Sequence, residues 1–188
     1  MMKCTIAVTG LSGVGKSTLL KAVARRVDFL HLQASALIRD ARDTFQSYPV
    51  SHDQLRYVDL DENQHLLVDG FAAHARSATG LVVLDGHTLV ERNTDFVLIG
   101  AEVFSAIGIS GMLFLHDDPS AIVARRAGDH TRERPAKDVD VLAKIQAAAL
   151  ANARDICRSV QVPLKIVAPV DLDNVVEFLQ CSLDARIT

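Results

Sequence analysis

The nine residues GLSGVGKST, Gly10 to Thr18, combine three glycines, a cation and hydroxyls in a spacing suited to holding a chain of phosphates. Gly10, Gly13 and Gly15 let the backbone wrap an oxyanion with its N–H groups turned inward, those of Ser12 and Val14 included. A helix beginning near Gly15 adds the positive end of its dipole. Lys16 is then placed to reach β- and γ-phosphates. The Ser17 hydroxyl, with Thr18 beside it, is placed to ligate Mg2+. This stretch satisfies G-x-x-x-x-G-K-[ST], with an apolar run before it and an amphipathic one after it, the strand-to-helix setting the chemistry needs. ATP or GTP binding with Mg2+ is the first expectation.

Phosphoryl chemistry also needs a carboxylate at the end of a neighbouring buried strand, and LVVLD supplies Asp85 as a holder of the magnesium or of one of its waters. A further cluster lies in RAGDHTRERP, where Arg126, Arg132 and Arg134 gather with His130 around a stretch punctuated by Gly128 and Pro135. The chain carries 20 Lys+Arg against 23 Asp+Glu, a net charge of −3, which leaves no general positive surface for a nucleic-acid backbone. An anion device must therefore be local. A short lid over about 126–138 fits: closing expels water, and its guanidinium groups neutralise charge spreading over the transferring oxygens.

The elements that position these groups follow from periodicity. TIAV (5–8), LVVL (81–84), MLFL (112–115) and LKIV (164–167) are short apolar runs of the kind buried on both faces of a parallel sheet, with FLHLQ (29–33) a weaker fifth. Between them, Lys16 to Val27 and Val139 to Val160 repeat apolar residues at helical spacing. The pattern predicts an α/β, three-layer fold with a mostly parallel five-stranded sheet flanked by helices, one domain over residues 1–188, and ligands at the carboxyl ends of the strands. The stretch from Asp95 approaches membrane-span length, but Glu102 and its glycines divide it into a helix and a buried strand. No secretory signal opens the chain, and Cys4, Cys157 and Cys181 are scattered, so a reducing, cytoplasmic setting is expected.

The phosphate loop alone does not separate kinases, switches and motors. No N-K-x-D base-reading motif is present, and the length leaves no room for the helical lid domain of hexameric ATPases. The order GLSGVGKST, LIRD, HDQLR, LVVLDGH, then IVARRAGDHTRER and an Ala-rich helix resembles the adenylate kinase family, most closely its archaeal-type branch. The resemblance implies that Lys16, Arg132 and Arg134 contact the transferring phosphates, with Arg126 among the catalytic arginines and Arg125 or Arg126 near the lid hinge and the base. It implies Arg39, Arg56, Asp85 and His87 on the acceptor side, within or beside a mobile acceptor-binding arm over about 35–77. The chain reads Asp85-Gly86-His87-Thr88-Leu89 where the wider family usually has D-G-[FY]-P-[RK], so the acceptor-clamping arginine is missing from its place. The expectation is an ATP-dependent phosphotransferase whose acceptor is a nucleoside monophosphate such as AMP. Alternatives are a kinase of another small metabolite, with Asp85 as carboxylate base, and a nucleotide-binding switch or assembly ATPase. Neither nucleic acid nor a membrane is expected as a partner.

Overall fold

The computed structural model describes residues 3–45, 60–92, 95–128 and 138–184. Its framework is a five-stranded sheet in the order β2-β3-β1-β6-β7, built from β1 (Lys3–Gly10), β2 (Leu30–Gln33), β3 (Gly80–Asp85), β6 (Gly111–Leu115) and β7 (Leu164–Val167). Every pairing in it is parallel. Central strands buried on both faces explain the uninterrupted apolar runs: Ile6, Val8, Val82, Met112 and Phe114 are all fully buried.

Helices cover both faces. α1 (Lys16–Val23) packs with α7 (Leu172–Asp184), while α6 (Val139–Val160) packs with α4 (Ala101–Ile107) and α5 (Pro119–Ala127). Side-chain caps set two of the starts: Asp118 accepts from the Ser120 amide at 2.7 Å, and Asp138 from the Val141 amide at 2.8 Å. α2 (Ala34–Phe45) and α3 (Leu60–Ala75) pack on each other, and a Cβ on Gly70 would lie 2.7 Å from the Leu37 carbonyl oxygen. Only a glycine lets those two backbones approach so closely.

One expectation is corrected, and one element is added to those expected. The first helix ends at Val23 instead of Val27, because the chain tightens there: the Arg25 and Arg26 amides bond to Ala22 and Val23, three residues back. Val27 still packs against the core from the turn beyond. The added element is an antiparallel hairpin of β4 (Leu89–Glu91) and β5 (Phe96–Leu98), which pairs Glu91 with Phe96. Strands of three residues are too short for alternation to register. The segment from Asp95 divides into β5, α4 and β6, and no helix among the described residues is long and apolar enough to cross a membrane.

Candidate active site

The register places Val8, Asp85 and Gln33 side by side across β1, β3 and β2, so the carboxyl ends of three strands open at one level. This is where an open α/β sheet leaves a crevice for a ligand. A cavity of about 360 Å³ occupies it. One wall is Ser12, Gly13, Gly15, Lys16, Ser17 and Thr18; the other is Gln33, Ala34 and Ser35 with Asp85, Gly86 and His87, and Arg125 closes one side.

The loop's shape rests on glycine conformations that other residues rarely adopt. Gly10, Gly13 and Gly15 have φ of 140°, 81° and 110°. Gly15 is the N-cap of α1, which has no side-chain cap and no acidic residue in its first turn, so that helix end is electropositive. Gly10 and Val14 stand behind the cavity wall: Val14 is wholly buried, and a Cβ on Gly10 would meet the Leu115 carbonyl oxygen at 2.7 Å. Gly10→Ala is therefore expected to cost roughly 3 kcal/mol of stability, from a disallowed backbone angle and a clash with rigid backbone. Urea denaturation of the variant checks this.

Lys16 is buried, 8% exposed, and its ammonium donates to the carbonyl oxygens of Gly10 at 3.1 Å and Leu11 at 3.3 Å. His87 Nδ1 lies 2.7 Å from the same Gly10 oxygen. A carbonyl only accepts, so Nδ1 carries the hydrogen and Nε2 is left as an acceptor. Lys16 Nζ stands 3.5 Å from that Nδ1, a donor facing a donor. Burial first, and the Lys16 charge second, push the His87 pKa down from 6.5 to about 4.

His87 is therefore neutral at physiological pH. The unfolded chain binds its proton more readily, so stability is expected to decline as pH falls from 6.5 towards about 4. Asparagine places its amide near Nδ1 and does not titrate. Urea midpoints of parent and His87→Asn protein between pH 7 and pH 4.5 should diverge, with the parent losing more.

Asp85 is 11% exposed, and its Oδ2 lies 3.8 Å from His31 Nε2 on the neighbouring strand. Arg125 donates from Nε to the Gly13 carbonyl at 3.0 Å and pairs with Asp117 at 2.5 Å. Arg126, expected among the catalytic arginines, does not line the cavity. Its Nε donates to the Ser12 carbonyl at 2.9 Å, and its terminal nitrogens fork onto Glu91. The reason is geometric: it leaves α5 one position after Arg125, on the side facing the hairpin.

Arg39 is exposed on α2, one turn beyond Ser35, and is not part of the cavity wall. Arg56, Arg132 and Arg134 lie outside the described residues, as do residues 46–59 of the acceptor arm and most of the lid. No motif in the sequence singles out Gln33, Ser35, His31 or Glu91. Gln33 ends β2 beside LVVLD and Ser35 follows it into α2, which is one usable signal; His31, inside β2, and Glu91 carry none.

Among solved structures the chain is similar to a shikimate kinase from Bacteroides thetaiotaomicron, with 19% identity and a TM-score of 0.55 over 96% of this chain and 98% of that one. It is also similar to a gluconokinase from Sinorhizobium meliloti 1021 (21% identity, TM-score 0.49, 98% and 93% covered). A sugar kinase from Janibacter sp. HTCC2649 matches comparably (19%, 0.49, 97% and 95%). The first shows a shared fold, the parallel five-stranded sheet flanked by helices. No curated protein matches the chain. A family model described as an AAA domain matches residues 9–143, which take in every residue lining the cavity. The phosphate loop and the strand ends facing it fall within the matched residues, and the chain belongs to this AAA domain family.

Proposed function

We propose that the protein is an ATP- and Mg2+-dependent phosphotransferase whose acceptor is a hydroxyl of a small metabolite. The observation that carries this is the wall opposite the phosphate loop. It holds a carboxylate (Asp85), a neutral imidazole (His87), an amide (Gln33) and a hydroxyl (Ser35). Among the described residues of the cavity, the cations are Lys16 and Arg125, and both are tied to loop carbonyls. Such a wall is built to exchange hydrogen bonds with hydroxyl groups. It does not resemble an arginine clamp for a second phosphate.

Each group then has a task. The amides at the start of α1 and Lys16 hold the β- and γ-phosphates. Ser17 and Asp85 offer the hard oxygen donors that Mg2+ favours, and the ion would supply positive charge to the phosphate oxygens. Asp85 would also offer a carboxylate oxygen able to take the proton of an alcohol acceptor. The arm over about 35–77 would cover the acceptor, and the lid over about 126–138, with Arg132 and Arg134, would close over the transferring group. Cys4, Cys157 and Cys181, all thiols, support a reducing, cytoplasmic setting.

On this reading the adenylate kinase resemblance extends to fold and phosphate chemistry, and the acceptor differs. The likeness in fold to a shikimate kinase supports that direction. A nucleoside monophosphate acceptor is the second reading, favoured by Arg39 on the same side of α2 as Ser35. The deciding experiment incubates purified protein with Mg-ATP and a panel of hydroxylated metabolites and nucleoside monophosphates, following ADP and phosphorylated product together. Product from a metabolite supports the proposal. Product from AMP alone overturns it, and steady ADP release indifferent to every acceptor points to a switch or assembly ATPase.

A further inference from the structure

A loop that turns its N–H groups inward turns its carbonyls outward, and each buried carbonyl needs a donor. Gly10 O accepts from Lys16 Nζ and His87 Nδ1, and Leu11 O from Lys16 Nζ and the Val14 amide. At the tip of the loop, Ser12 O and Gly13 O are taken by consecutive arginines of α5, Arg126 Nε at 2.9 Å and Arg125 Nε at 3.0 Å. The two guanidinium groups are anchored differently. Arg125 pairs with Asp117 near solvent. Arg126 forks onto both oxygens of Glu91, at 3.1 and 2.5 Å, with the two side chains only 9% and 20% exposed. Its Cγ also packs beneath the loop, 2.9 Å from where a Cβ on Gly13 would sit.

We propose that Glu91 is a positioning residue for the phosphate loop. Held by two bonds to Glu91, the planar guanidinium of Arg126 has its plane fixed, and its Nε–H is thereby aimed at the Ser12 carbonyl. With its carbonyl held, the plane of the Ser12–Gly13 peptide is fixed, and with it the direction of the Gly13 amide. Glu91 belongs to the β4–β5 hairpin, which makes that hairpin a structural support of the nucleotide wall. Without the carboxylate charge, a largely buried guanidinium loses its neutralising partner and is driven to reorient towards water, releasing Ser12. The assignment rests on reading the loop as a triphosphate site, and it adds a residue that the phosphate-loop pattern does not contain.

Two variants test it separately. Glu91→Gln keeps the volume and removes the charge; Arg126→Lys keeps the charge and loses the planar fork. In each, hydrogen exchange at the Val14 amide, which bonds within the loop to Leu11 O at 3.2 Å, is expected to accelerate about tenfold or more. Mg-ATP affinity by calorimetry should fall about 10- to 100-fold, the size of one lost charge-assisted hydrogen bond. Circular dichroism should stay close to the parent's, while the melting temperature should fall, because removing one partner of a largely buried ion pair is destabilising. Should one variant misfold, the other decides.

Val14 exchange within twofold of the parent's in a folded variant overturns the proposal. If the parent itself binds no triphosphate, the nucleotide reading fails. The exchange measurement still tests the brace in that case, because it needs no nucleotide.

Discussion

Replacing Lys16 with alanine is expected to lower kcat/KM for phosphoryl transfer by on the order of 10³-fold or more, while leaving the protein folded. Both halves of this expectation come from the same contacts. In the structure the ammonium group sits at the floor of the cavity, bonded to the carbonyl oxygens of Gly10 and Leu11. Those oxygens do not depend on it, because His87 Nδ1 also donates to Gly10 and the Val14 amide to Leu11. Truncation therefore leaves the loop's own bonding in place. It removes the one point charge on the loop that can follow the β- and γ-phosphates as charge develops, and the burial of Lys16 makes that charge count. A coupled assay of ADP and product, read beside urea midpoints, checks both halves. Parent-like turnover in Lys16→Ala would mean that chemistry happens elsewhere.

Asp85→Asn is the second change of large effect, with an expected loss of about 10²- to 10⁴-fold in kcat and a much smaller loss in ATP affinity. Asparagine fills the same space at the end of β3 and keeps one oxygen, but takes up no proton. The variant also discriminates between acceptors. A phosphate oxygen is already an anion at neutral pH and needs no base, so a monophosphate kinase would lose chiefly metal binding and should recover as Mg2+ is raised. An alcohol acceptor requires its proton to go somewhere, and added Mg2+ should not restore the rate. Full rescue by Mg2+ would remove Asp85 from the role of base.

The strands and the phosphate loop are legible in the sequence because their signals are local. TIAV, LVVL and MLFL form β1, β3 and β6, since burial on both faces leaves little polar alternative along a strand, and LKIV forms the edge strand β7, where Ile166 is exposed. Even the weaker FLHLQ forms β2. Asp138 is readable as the start of α6 because a cap is decided by the few residues around it. The end of α1 is less so: Val27 keeps helical spacing and reaches the core from a turn, which periodicity does not distinguish from a further helical turn.

The candidate site divides in the same way. From Gly10 to Thr18, together with Asp85, the residue types and their spacing suffice, since glycine angles, a helix end and a strand end are properties of short segments. What Arg125 and Arg126 do is settled only by packing. One lines the cavity; its neighbour is turned away, onto Glu91, by a single step along α5. The same holds for the ties on α6, where Asn152 donates to the carbonyls of Thr88 and Ile99, and Gln146 exchanges bonds with Asp117. By itself, the sequence determined a parallel α/β sheet carrying a phosphate-binding loop, because apolar period and backbone freedom act within a few residues. The tertiary structure alone decided which charged side chains face the cavity and which brace it, because a guanidinium finds its carboxylate across a fold rather than along a chain.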